Sequence, residues 1–204
     1  VSAGKRATAV GGLILAAGES RRFGSPKQLA LLDGRPLLEH ALSAMAAAKS
    51  VERTVVVLGS HASEIVAGVR LDGALAVICD DWNEGQAASL RAGVEALADL
   101  AAAIVVTLGD QPLIDPRAID RVVAARGGGA AAVRAGYLGR PGHPVVFERE
   151  LFEPARRLRG DEGARGLLAT VDVRVVACDG LGSDADVDTP DQLVLSAGGS
   201  SSQC

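Results

Sequence analysis

The sequence predicts an α/β protein, a single domain in three layers with a mostly parallel sheet between helices. Apolar runs of strand length alternate with helix-period segments as far as about Arg126. Runs such as RTVVVL are continuously apolar, as parallel strands covered on both faces must be, and strand-helix alternation implies right-handed crossovers. Hydrophobic residues make up 48% of the 204-residue chain and aromatics only 2%, so the core must be packed from Ala, Val, Leu and Ile. The length suits one well-buried domain and is short for two.

Taken in order, Ala9 to Ala17 is a strand, and Pro36 to Ala48 a helix with Leu38, Leu42 and Met45 on one face and Pro36 near its first turn. Arg53 to Leu58 is a second strand, His61 to Val69 a helix, Leu75 to Cys79 a third strand, and Ala88 to Leu100 a helix. Ala103 to Leu108 is a fourth strand, and Asp115-Pro116 starts another helix. Beyond a turn at Gly127 to Gly129 the order changes. Ala130 to Ala135 and Pro144 to Phe147 are short strands, Arg149 to Leu158 and Ala164 to Ala169 short helices, Val173 to Ala177 a last strand, and a closing helix begins near Thr189-Pro190. The domain is expected to span residues 9–196, with flexible ends at 1–8 and 197–204.

A net charge of −4 and a pI near 5.4 argue against general nucleic-acid binding, which needs an excess of Lys and Arg. Cys79, Cys178 and Cys204 show no C-x-x-C spacing, so neither zinc nor a disulfide framework is indicated, and Cys79 and Cys178 are expected as core thiols at strand ends. No apolar run approaches the ~18–20 residues of a membrane span. The N-terminal apolar stretch is too short for a signal peptide and runs directly into the first loop, so a soluble, cytoplasmic protein is expected.

In an open sheet of this kind ligands sit outside the carboxyl ends of the strands. That selects four loops: AAGESRRFGSPK, DDWNEGQAASL, LGDQPL and DADVDTPDQL. The first contains Gly18 and Gly24 with cations at Arg21, Arg22 and Lys27, yet it lacks both the G-x-G-x-x-G fingerprint and the G-K-[ST] ending of a P-loop. Its glycines are turn formers or phosphate contacts; its cations are surface charge or phosphate ligands. Asp110, between Gly109 and Pro112, is a turn former or a magnesium ligand, since magnesium is usually held by one or two carboxylates plus substrate phosphates. Asp184, Asp186 and Asp188 offer a second carboxylate, while Asp188 or Thr189 could equally cap the helix that Pro190 begins.

LAAGESRRFGSPKQL, followed by GDQP, GRPGHPVVF, GDEGAR and DVDTPDQL, resembles the MobA-like nucleotidyltransferases of the molybdenum-cofactor type, above all the CTP-dependent molybdenum cofactor cytidylyltransferases. The likeness runs from about residue 11 to about residue 195, with the motifs in the family's order. It implies a Rossmann-like fold of the nucleotide-diphospho-sugar transferase type. It places Leu15, Ala16, Ala17 and Gly18 against the base and ribose, Arg22 and Lys27 on the triphosphate, Gly85 and Ser89 at the base, and Gly109 beside the nucleotide. Asp110 and Asp188 match the family's Mg2+ pair, with Asp186 the alternative, and Arg22, Lys27 and Asp110 are the catalytic set.

The implied reaction moves CMP from CTP to the phosphate of molybdopterin carrying molybdenum, with a molybdoenzyme or its maturation factor as a further partner. Guanylyltransferases of the family tend to have LAGG where this chain has LAAG, and the methyl of Ala17 crowds a purine more than a pyrimidine. His143 stands in a rigid strand entry or contacts the acceptor, and the resemblance favours the acceptor, with Arg140 in the same loop. Asp161 and Arg165 are expected as a helix cap and its surface pair. The rivals are a guanylyltransferase, a transferase acting on another phosphorylated acceptor, and a non-catalytic nucleotide- or cofactor-binding protein. A dinucleotide-dependent oxidoreductase is disfavoured by the missing fingerprint.

Overall fold

The computed structural model describes residues 8–20 and 23–193. Arg21, Arg22 and Cys204 lie outside the described residues, as do most of the two expected loose ends.

Strand β1 (Val10–Ala16) occupies the middle of a seven-stranded sheet. On one side it pairs in parallel with β4 (Arg53–Leu58), which pairs with β5 (Leu75–Ile78) at the edge. On the other it pairs in parallel with β6 (Ala103–Leu108). Beyond β6 come β8 (Arg140–Glu148), the one reversed strand, then β7 (Ala132–Tyr137) and β9 (Val173–Ala177). The chain leaves β1 toward β4 and β5 and returns to the other flank at β6, so the strand order reverses beside β1. A crevice is expected above the carboxyl ends of β1 and β6.

Alternate residues of the continuous apolar strands feed two cores. Ile14, Val56 and Val105 pack beneath α1 (Leu37–Ala47), α2 (Ala62–Gly68) and α4 (Pro116–Ala124), where Leu38, Leu42, Met45, Ile65 and Ile119 are buried. Leu13, Val55, Val57, Ile104 and Val106 face α3 (Gln86–Leu97), α5 (Phe152–Arg157) and α6 (Gly163–Leu168). Two helical layers with the sheet between them make the expected three-layer sandwich. The helix α3 lies so close to β1 that a Cβ on Gly93 would come within 2.2 Å of Leu13.

Two departures from the sequence reading have local causes. The strand expected over Pro144 to Phe147 is nine residues long, because Pro141 and Gly142 look like breakers yet lie where β8 pairs only with β7. Pairing with β6 begins at Val145, so the missing N–H groups of Pro141 and Pro144 interrupt no ladder on that side. A two-residue hairpin, β2 (Leu31–Leu32) against β3 (Arg35–Pro36), closes through Asp33 and Gly34 at φ 50° and 75°. Asp-Gly is the pairing such a turn requires. Elsewhere boundaries move by one to three residues: α3 begins at Gln86 and α1 follows Pro36. Cys79 and Cys178 are buried free thiols just past β5 and β9, and among the described residues no helix is long and apolar enough to cross a membrane.

Candidate active site

Above β1 and β6 the expected crevice is present, a cleft of about 370 Å³. Leu15, Ala16, Ala17 and Gly18 form one wall as β1 ends, and Leu108, Gly109 and Asp110 a second as β6 ends. Gln86 and Ser89 enter from the first turns of α3, Lys27 and Gln28 from the 3-10 turn Lys27–Leu29, and Asp186 and Asp188 from the segment after β9.

The first loop is tied down from below. Gln28 is buried, and its Nε2 donates to the Ala16 carbonyl at 2.8 Å and to the Gly18 carbonyl at 3.2 Å. Ser20 Oγ donates to Gln28 Oε1 at 3.2 Å and accepts from the Lys27 backbone N–H at 3.1 Å. Strand end, loop and Lys27 therefore form one hydrogen-bonded unit. A Cβ on Gly18 would meet nothing within 4 Å, so the loop backbone there faces open space.

Lys27 Nζ donates to Asp110 Oδ2 at 2.5 Å and to Asp188 Oδ1 at 3.2 Å. Burial pulls the lysine pKa down, but Asp110 first and then Asp188 outweigh it and leave it raised. The carboxylates come from distant parts of the chain, Asp110 from its middle and Asp188 from near its end, and are brought together by backbone pairing. The Val187 N–H donates to the Asp110 carbonyl at 2.9 Å, the Ser183 N–H to the Leu113 carbonyl at 3.0 Å, and Ile114 bridges Gly182. Gln111 seals this junction, its Nε2 donating to the Asp184 carbonyl at 2.9 Å and to Asp186 Oδ1 at 2.8 Å. Burial, and then the charge of Asp110, raise the Asp186 pKa.

Thr189 stands at the N-cap of the closing helical turn that Pro190 begins. Gln192 Oε1 reaches back and accepts from the backbone N–H of Asp188 at 2.6 Å and of Thr189 at 2.9 Å, the return half of a capping box. That leaves the Asp188 carboxylate turned toward Lys27.

A second cavity, of about 760 Å³, shares Leu15, Gln86, Leu108 and Asp186 with the first. Arg134, His143, Arg165 and Asp184 line it. Arg134 Nε donates to the Gly142 carbonyl at 3.3 Å. Burial lowers the Arg134 pKa, with Asp184 opposing and Arg165 adding to the fall. Burial and the Arg134 charge push the His143 pKa down to about 4, so the imidazole is neutral at pH 7.

Sequence reasoning and structure part company at several residues. Arg140 is exposed at the β7–β8 hairpin and lines neither cavity, because it pairs with Tyr137 at the strand's outer end. Gly85 also lines neither; it begins α3 at φ 109°, and a Cβ there would come within 2.5 Å of Gly160 and Asp161. Asp161 and Arg165, expected as a cap and surface pair, line the second cavity. Arg22, expected on the triphosphate, lies outside the described residues. Gln28, Gln86, Gln111 and Arg134 escaped the sequence reading, since a polar side chain aimed into a cleft has no periodic signature.

Residues 12–176 match the family model of the MobA-like NTP transferase domain. The chain belongs to that family. Its relatives include the purine catabolism protein PucB of Bacillus subtilis strain 168, 29% identical over 89% of this chain and 92% of PucB. A probable molybdenum cofactor guanylyltransferase of Thermococcus sibiricus is 30% identical over 55% of this chain and 53% of its own. The bifunctional protein GlmU of Rhodospirillum rubrum is 34% identical over 72% of this chain, which spans only 33% of that relative's length. Among solved structures, Rv0371c from Mycobacterium tuberculosis H37Rv superposes with a TM-score of 0.83 at 35% identity, covering 93% of this chain and 98% of that one. A manganese complex of Rv0371c from the same strain gives a TM-score of 0.78 at 30% identity, covering 95% of this chain and all of that one. This MobA-like chain is thus a nucleotidyltransferase-family protein with the family's α/β sandwich.

Proposed function

We propose that this MobA-like protein transfers CMP from CTP to the terminal phosphate of molybdopterin carrying molybdenum, releasing pyrophosphate. The observation that carries the reading is the seam between the two cavities. A cleft sized for a nucleotide, with one lysine and two carboxylates at its mouth, opens past Gln86 and Asp186 into a larger chamber lined by two arginines.

In the proposed reaction an oxygen of the acceptor phosphate forms a bond to the α-phosphorus, and the bond to the β-phosphate oxygen breaks, pyrophosphate leaving with the electron pair. The acceptor phosphate is already ionised, so no protein nucleophile or strong base is needed. Catalysis is positioning and charge neutralisation. Lys27 neutralises the triphosphate, with Arg22 its expected companion. Gln28 fixes the Ala16–Gly18 backbone that flanks the base and ribose. Arg134 and Arg165 orient the acceptor, and His143, being neutral, offers it a hydrogen bond without a charge.

Asp110 and Asp188 would hold Mg2+. The pair fits a cation, because it already grips the Lys27 ammonium between its oxygens. Two carboxylates suit an ion that completes its shell from phosphates and water. When bound, the ion supplies electrostatic stabilisation of charge developing on the phosphates.

Ala17, which lines the cleft and is 6% exposed, supports CTP over GTP through the room its methyl takes. Such a difference is worth about 1–3 kcal/mol. A second reading, GMP transfer, is favoured by the Thermococcus relative. Calorimetric titration with CTP and then GTP, each with and without Mg2+, decides between them. Tighter, Mg2+-strengthened CTP binding supports the proposal, and a GTP preference moves the protein to the guanylyl branch.

A further inference from the structure

Lys27 Nζ bonds to both Asp110 and Asp188, the carboxylates that would hold the divalent cation in the proposed reaction, and its backbone cannot follow its side chain. The 3-10 turn it begins is held by the Ser20 hydroxyl on the Lys27 N–H and by buried Gln28 underneath. Only the four-carbon stem is free to swing. The Lys27 side chain is 16% exposed and that of Asp110 21%, so their attraction is only partly screened by water. Two carboxylates and one ammonium leave one net negative charge. A divalent ion arriving while the ammonium stays would sit against it at about contact distance, where like charges repel strongly in a partly buried site. Nucleotide phosphates entering the cleft beside Gly18 would offer the ammonium an alternative set of oxygens.

We propose that Lys27 is a tethered counter-cation that keeps the Asp110–Asp188 pair closed to divalent ions until nucleotide phosphates draw its ammonium away, so that metal and nucleotide load together. This rests on the metal-assisted nucleotidyltransferase reading but not on the identity of base or acceptor. Coupling of this kind is reciprocal: whatever factor the nucleotide gives to metal affinity, the metal gives back to the nucleotide.

The test is Mn2+ binding without nucleotide, read from loss of the free-ion electron paramagnetic resonance signal, in the wild type and in Lys27→Gln. Lys27→Gln should bind Mn2+ at least about tenfold more tightly than the wild type, within the 5–150-fold range of coupled sites. Adding Asp110→Asn should abolish that gain. Equal Mn2+ affinity in wild type and Lys27→Gln overturns the proposal, as does a gain that survives Asp110→Asn. Should Lys27→Gln fail to fold, Lys27→Met, which keeps the apolar stem, takes its place. A base preference opposite to the one proposed would leave this metal-only comparison unchanged, so the two readings fail separately.

Discussion

Gln111 Nε2 donates to Asp186 Oδ1 at 2.8 Å, and this bond separates two aspartates that the sequence presents as equals. Asp186 is spoken for by a buried amide, whereas Asp188 faces Lys27. Asp188→Asn should therefore lower kcat by about 10²–10³, the usual cost of removing one charge-stabilising group. Asp186→Asn should cost nearer tenfold, as an outer partner does. Pyrophosphate release measured on both variants checks the order, and a larger loss for Asp186→Asn would reverse the metal assignment.

Asp110 sits just past β6, part-exposed, with its backbone carbonyl engaged by Val187. The carboxylate contributes to the site rather than to the core. Asp110→Ala should reduce turnover by about 10³-fold or more while the circular dichroism spectrum stays native. Normal turnover by this variant would remove Asp110 from the proposed machinery.

In the proposed reaction Lys27 neutralises the triphosphate, so Lys27→Ala should weaken CTP binding by about 1.5–3 kcal/mol, the worth of hydrogen bonds to a charged group. CMP binding should barely change. Titration with both nucleotides decides, and equal losses would reject the phosphate role.

The middle of the sheet was legible because β1 and β6 are buried on both faces and so appear as unbroken apolar runs. The carboxyl-end rule then located Asp110 and the first loop without further help. Gln111 was not legible: its role arises only when residues 182–188 fold back along the end of β6, a contact between distant parts of the chain. Arg140 lies away from both cavities for a related reason. Chain neighbourhood put it beside His143, but three residues along an extended strand carry a side chain about 10 Å and to the opposite face. Arg134, on the paired strand β7, reaches the cavity instead. The Asp33-Gly34 turn was visible in the sequence and needed only the hairpin rule.

Gly85 begins α3 in a positive-φ conformation with Gly160 and Asp161 directly against it. Gly85→Ala meets both a backbone penalty of about 1–3 kcal/mol, since φ 109° with ψ −179° is a region all but confined to glycine, and a clash with main chain that cannot yield locally. The 160–163 segment must then shift, and with it the wall carrying Arg165. The expected result is a raised KM for the acceptor with nucleotide affinity little changed, measured by steady-state kinetics and CTP titration.

His143 provides the pH prediction. Its folded pKa of about 4 lies below the ordinary 6.5, because burial and the Arg134 charge disfavour the imidazolium. Between those values the unfolded chain binds a proton that the native protein refuses, so stability rises with pH across that window. The contribution is fully present above pH 6.5 and is lost progressively as pH falls toward 4, by up to about 3 kcal/mol at 1.36 kcal/mol per unit. Replacing the ring by an uncharged amide removes the titrating group but not the carboxylates that also respond to acid. Urea midpoints at pH 7 and pH 5 should therefore fall further for the wild type than for His143→Gln. Identical falls would mean that the ring is solvated well enough to protonate in the folded state, and that the chamber around Arg134 is wetter than its lining implies.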